Sequence, residues 1–205
     1  MKHMGRFRKF IICMLVLVML VLPVRVLAAG GTHTVVPGDT MWKIAVRYQI
    51  GLSELLKANP QIHNPALIYP GQKINIPNLD DVKALEQKVI DLVNRQRAYN
   101  GLQALKANWE LCRVARYKSQ DMIDKRYFSH QSPTYGSPFR MMESFGIRFS
   151  AAGENIAYGQ RTPQEVMNSW MNSPGHRANI LSAKYTKIGV GYVAGGNYWT
   201  QVFIG

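Results

Sequence analysis

The sequence predicts an α+β protein in two modules, and three observations carry that prediction. Residues 32–77 read strand, helix, helix, strand. Residues 82–174 place apolar side chains at helical spacing between clear start and stop signals. Beyond Ile188 the apolar period shortens to two, which is the spacing of a β-hairpin.

The chain has 205 residues, 47% of them hydrophobic, enough for one or two domains. Residues 1–29 stand apart. Lys2, Arg6, Arg8 and Lys9 precede an apolar run from Phe10 to Leu22, Pro23 breaks it, and Ala28-Ala29 suits a signal peptidase. The run is shorter than the ~20 residues of a membrane-spanning helix. A secretory signal peptide is the reading, with an uncleaved anchor as the alternative. No Cys follows the run, which argues against a lipoprotein. Without this segment 20 Lys/Arg face 12 Asp/Glu, a formal +8. A basic exported chain suits an anionic cell envelope. No zinc-finger spacing or aromatic-basic motif points to nucleic acid. Cys13 leaves with the signal, so Cys112 alone remains and no intrachain disulfide forms. Flanked by Leu111 and Ala115, it reads as a small core residue.

In the first module Thr32–Val36 is β-branched, and Pro37-Gly38 ends it. Asp39 suits the N-cap of the next helix, in which Met41, Ile44, Ala45 and Tyr48 share one face. Gly51 marks a turn, Ser53 suits the cap of a second helix, and Asn59-Pro60 stops it. Lys73–Pro77 forms the closing strand. His33 and His63 read as surface histidines. So small a unit lies near the ~40-residue limit for folding unaided, so its function belongs on its surface.

Residues 78–81 are too short for a flexible tether. In the second module Asp80 and Asp81 suit a helix N-terminus. Leu85, Val89, Leu92 and Val93 then trace a face that closes at Asn100-Gly101. Asn108 opens a helix with Leu111, Val114, Ala115 and Met122 inward. Ser137-Pro138 to Gly146 is a third helix. Thr162-Pro163-Gln164-Glu165 is a capping box for a fourth, which Pro174-Gly175 cuts. Ile188, Val190 and Tyr192 alternate with Gly189 and Gly191, Gly195-Gly196 turns the chain, and Tyr198–Ile204 returns. Asn155–Tyr158 supplies a third strand.

Val36–Ala45, Asn59-Pro60 and Ile68–Gln72 resemble the LysM domain. The resemblance implies binding of N-acetylglucosamine glycans, peptidoglycan or chitin, between Gly38, Asp39 and Thr40 on one lip and Pro60, Gln61 and Ile62 on the other. Val89–Arg97, Phe128-Ser129-His130, Gly153–Ala157, Trp170 with Ser173–Arg177, and Tyr198–Phe203 resemble the bacterial branch of the CAP superfamily of cysteine-rich secretory, antigen 5 and pathogenesis-related proteins. That resemblance implies an α-β-α sandwich with a central cleft. His130 and Glu154 match two of the four cleft residues of the eukaryotic branch. Ser173 and Tyr198 stand where that branch keeps a glutamate and a histidine, so its full metal tetrad is missing.

The stretch Ser173–Leu181 reads as a loop behind a helix stop. It would bring His176, Arg177 and Asn179 to a cleft with His130, Glu154, Ser173 and Tyr198. His130, Glu154 and His176 could number three ligands for a divalent metal such as zinc, although no metal-binding spacing supports it and no cofactor is certain. The expectation is therefore a secreted protein of the cell wall or spore envelope. It would bind peptidoglycan through residues 32–77 and a small ligand or protein partner in the cleft of residues 82–205. The alternative is a wall-directed hydrolase using His130, Glu154 and His176.

Overall fold

A computed structural model describes residues 30–205. The expected signal peptide, residues 1–29, lies outside the described residues. No helix among those described is long and apolar enough to cross a membrane. The first module comprises β1 (Gly31–Thr34), α1 (Met41–Tyr48), α2 (Leu52–Lys57) and β2 (Lys73–Ile76), with β1 and β2 antiparallel. The predicted face of α1 is buried against Val35, Ile50, Leu55, Ile74 and Ile76. Asn59, fully buried, donates from Nδ2 to the carbonyls of Leu55 and Asn75 and accepts from the Asn75 amide at 2.7 Å. It therefore locks the loop after α2 onto β2, a larger role than stopping a helix.

Both predicted caps in this module are corrected. Thr40, not Asp39, caps α1 by accepting from the Lys43 amide. The α2 helix starts at Leu52, one residue too early for Ser53 to cap it, and Glu54 reaches back to the Gly51 amide instead. Nor is His33 a surface histidine. It is buried, with its Nε2 2.7 Å from the Asp39 carboxylate and its Nδ1 3.3 Å from the Tyr48 hydroxyl. His63 is exposed, as expected.

The second module runs α3 (Asp80–Tyr99), β3 (Lys106–Ala107), α4 (Trp109–Asp124), α5 (Pro138–Ser144), β4 (Ala152–Tyr158), α6 (Pro163–Asn172), α7 (Pro174–Ile180), β5 (Lys187–Val193) and β6 (Tyr198–Ile204). The sheet order is β3-β5-β6-β4, so β4 is an edge strand. Period-two alternation sends Ile188, Val190, Tyr192, Trp199 and Phe203 to one face, against α3, α6 and α7. Val202 and Ile204 go to the other face, against α4 and α5. Three layers result, with helices on both sides of an antiparallel-rich sheet.

Gly189 and Gly191 explain how closely α4 lies on that sheet. A Cβ at Gly191 would sit 2.0 Å from the Arg116 amide nitrogen, and one at Gly189 would sit 2.3 Å from Leu111. Side chains there would push the helix off. Ser119 on α4 bonds to Thr200 Oγ1 at 2.9 Å and donates to the Gly191 carbonyl, sealing the contact. On the opposite face of the sheet Trp170 and Trp199 are completely buried, and truncating either would cost about 3–5 kcal/mol.

The other side of α4 meets the first module. Arg116 pairs with Glu54 at 2.9 Å and with Glu86 on α3 at 2.8 Å. The Ser53 amide donates to the Tyr117 hydroxyl, Lys83 Nζ donates to the Tyr48 carbonyl, and Leu79 packs on the first-module core. Residues 78–81 therefore tether nothing loosely, since α3 starts at Asp80.

Candidate functional site

The second module's candidate site forms at the open edge of β4. Cross-strand pairing puts Glu154 opposite Val202, which turns its carboxylate to the α4 side. There Glu154 Oε1 lies 2.7 Å from His130 Nδ1. The Glu154 side chain is 3% exposed and the His130 side chain 54% exposed. Burial raises the Glu154 pKa, while the His130 hydrogen bond and the Lys118 charge pull it down. Glu154 thus holds one edge of the imidazole, and more than half of the ring's side chain stays open to solvent.

Lys118 sets the position of His130, and sequence reasoning missed it. It is 1% exposed, and its ammonium donates to the Ser129 carbonyl (2.7 Å), the His130 carbonyl (2.9 Å) and the Tyr127 hydroxyl (3.0 Å). Burial lowers its pKa. One turn further on, Asp121 accepts from Ser132, Thr134 and Tyr127, pinning the rest of the loop. Burial tends to raise its pKa, and these hydrogen bonds together lower it. The visible signal was their spacing: Lys118 and Asp121 fall three apart on a helix face otherwise apolar. Also missed was an aromatic step beside His130. The rings of Phe128 and Tyr158 lie 4.7 Å apart, and those of Tyr158 and Tyr198 stack at 5.7 Å. Tyr158 and Tyr198 are cross-strand partners.

The segment after Pro174 is a helix and not a loop, because Pro174 occupies its first turn, where no amide hydrogen is needed. Pro174-Gly175 thus starts α7 as well as ending α6. Consecutive helical residues diverge by ~100°, and α7 separates its polar groups accordingly. Asn179 faces β4, donating to the Glu154 carbonyl and to Asn155 Oδ1 at 2.8 Å. Asn155 donates in turn to the His176 carbonyl and to Gln201 Oε1. Asn179 therefore fastens α7 to the sheet. Arg177 is exposed and lines a shallow hollow with Met171, Pro174, Ala178 and Leu181. Ser173 is the hinge residue shared by the two helices, its carbonyl accepting from the Arg177 amide.

His176 is half-buried on α7. Burial lowers its pKa first, and the His130 charge lowers it further. Even so, no group of three or more His, Cys, Asp or Glu side chains among the described residues is placed to hold a metal ion. His130, Glu154 and His176 do not make the three-ligand set considered for zinc. Oε1 of the buried Glu154 is engaged by His130, and the donors stop at that pair. Cys112 packs against the core, and burial pushes its thiol up to about 11.

The first module's candidate site has two lips. Gly38 has φ +86°, and its carbonyl accepts from Lys43 Nζ at 2.7 Å. Thr40 is exposed. Asp39 is committed inward: it accepts from His33, the Val36 amide and Arg47. Burial tends to raise its pKa, and those partners together lower it. On the facing lip Pro60 and Gln61 are exposed, Gln61 donates to Asn59, and Ile62 packs partly on the core. Both lips are thus held from behind by buried polar groups.

Comparison with known proteins agrees with this architecture. Residues 90–204 match the model of the cysteine-rich secretory protein family, CAP, and residues 33–77 match that of the LysM domain. An uncharacterized protein of Bacillus subtilis (strain 168), YkwD, is 60% identical over 124 residues, covering 60% of this chain and 48% of that protein. The spore coat assembly protein ExsA of Bacillus cereus is 50% identical over 46 residues, covering 22% of this chain and 7% of that protein. The crystal structure of an extracellular protein with an SCP domain from Bacillus anthracis superposes with a TM-score of 0.58 at 35% identity, over 66% of this chain and 47% of that one. The chain spans about half the length of these relatives, or less. It belongs to the cysteine-rich secretory protein family and carries an N-terminal LysM domain.

Proposed function

We propose that this family member is an exported, wall-associated binding protein. Its LysM domain holds N-acetylglucosamine glycans of peptidoglycan between Gly38–Thr40 and Pro60–Ile62. Its CAP cleft, at the edge of β4, receives a ligand or partner. One observation carries the second half: Glu154, buried, presents an exposed His130 beside the Phe128, Tyr158 and Tyr198 step. A polar imidazole near an apolar platform suits recognition of a group that is part aromatic or aliphatic and part hydrogen-bonding. The spore envelope is the proposed setting, supported by the LysM similarity to a protein named for spore coat assembly.

Binding of the purified protein to insoluble peptidoglycan is the test. The expected result is retention on the pellet with no release of soluble sugar or peptide. Release of fragments that disappears in His130→Ala would replace this reading with the hydrolase. No retention at all would overturn the glycan assignment.

A further inference from the structure

The two modules enclose a groove of about 630 Å³ between α1, α2 and α4. Arg113 at one end of it has no obvious structural role. It is 3% exposed, yet its Nε has no hydrogen-bond partner among the described residues, and none of the described ion pairs includes it. Only aromatic rings hold its guanidinium, at 4.9 Å from the Trp42 centroid, 5.2 Å from Phe145 and 5.7 Å from Trp109. A guanidinium keeps its charge in any folded protein. Glu110 and Glu54 act on it only from a distance, with no ion pair, so this desolvated cation with an unpartnered Nε at the end of an open groove is a site prepared for an anion.

The groove has a polarity and a length. Along α4 it is lined by Arg113, then Tyr117, then Gln120 and Asp124. Eleven residues of helix separate the Arg113 cation from the exposed Asp124 carboxylate, about 16 Å at ~1.5 Å per residue. An extended peptide of about five residues covers the same distance at ~3.3 Å per residue. Tyr117 and Phe145 offer apolar walls between. Lys57 on α2 adds a second cation to the lining and Asp124 a carboxylate at the far end, a mixed lining that suits a short peptide with a free carboxylate. Trp42, which lines the groove, stands two residues beyond Thr40 of the proposed glycan lip.

We infer that the groove between the modules binds a short peptide attached to the glycan, a stem peptide of the wall polymer, with a peptide carboxylate paired to Arg113. This rests on the LysM glycan reading, which it extends from neutral sugar to peptide-bearing sugar. Arg113 then separates crosslinked from uncrosslinked wall wherever crosslinking consumes that carboxylate.

Calorimetric titration of the protein with four probes tests it: chitotetraose, a muramidase-released disaccharide peptide, the same compound with its peptide carboxylates esterified, and the peptide-free disaccharide bearing only the lactyl carboxylate. The peptide-bearing sugar is expected to bind about tenfold more tightly than the peptide-free one. Esterification removes that advantage without touching the protein. Arg113→Gln removes it too and leaves chitotetraose binding unchanged. Equal affinity for the free and esterified peptides, equal affinity with and without peptide, or no binding of the peptide-bearing form would overturn the inference. Absent chitotetraose binding with an ester-sensitive advantage retained would count against the glycan reading alone.

Discussion

Glu86 and Glu154 are both buried carboxylates, and both take their cationic support from α4. Their partners differ. Glu86 accepts from Arg116, itself buried, and from the Tyr192 amide at 3.1 Å. Burial pushes it up to about 7 against the pull of Arg116. Its partner keeps its charge and is bonded in turn to Glu54 of the LysM domain, so the group joins three helices and two modules. Glu154 instead holds an imidazole more than half exposed to solvent. The first arrangement is closed and structural. The second keeps a titratable group at the surface. Burial and charge alone do not separate a scaffold from a site; the exposure and chemistry of the partner do.

Three measurements would break or sharpen that contrast. The largest effect is expected for Arg116→Met, which strands Glu86 in the interior and disconnects Glu54. A loss of about 3–5 kcal/mol in denaturant unfolding is expected. A loss below about 1 kcal/mol would show that the triad is not the joint between the modules. Next, Lys118→Met removes three donated hydrogen bonds from the loop that carries His130. The expected loss is about 1–3 kcal/mol, with the His130 resonance in NMR spectra broadened or shifted while the Glu86 region stays as it was. Changes spread equally over both regions would mean that the two buried groups are not independent.

The smallest effect concerns pH. The Glu86 folded pKa lies above its unfolded value, so the folded state holds the extra proton. Its contribution is full below about 4.5 and is lost as pH rises through about 7. Compared with Glu86→Gln, the wild-type protein is expected to lose on the order of 1 kcal/mol between pH 5.5 and 6.5. The Glu154 pKa is also raised, so comparison with Glu154→Gln should show the same sign. A rise in wild-type stability relative to Glu86→Gln over this interval would overturn the assignment.

How much of this was legible in the chain follows from the range of the forces involved. The α1 face and the Asn108, Ser137 and Thr162 caps were all readable. Caps and faces are set within four residues, and paired strands repeat every two. The Asp39 and Ser53 caps failed where a neighbour competed. His33 and Arg47 drew Asp39 away, and Thr40 took its place. The loop expected after Pro174 failed because proline both ends one helix and begins the next. At the edge of β4, the matched motifs had named His130 and Glu154 together, and they form a hydrogen-bonded pair. The divergence of Arg177 and Asn179 was not anticipated, since it follows from α7 being helical.

The sequence by itself determined the two modules, most of their helices and strands, and the residue types at both candidate sites. It did so because periodicity, caps and turn chemistry are local. Only the tertiary structure decided that Arg116 bridges the modules, that Lys118 aims His130, and that Arg113 is buried without an ion-pair partner among the described residues. Each of these rests on a contact beyond the reach of local periodicity: 62 positions between Arg116 and Glu54, 12 between Lys118 and His130, and 71 between Arg113 and Trp42. No local spacing encodes such a pairing; it exists only once α4 lies between the sheet and the LysM domain.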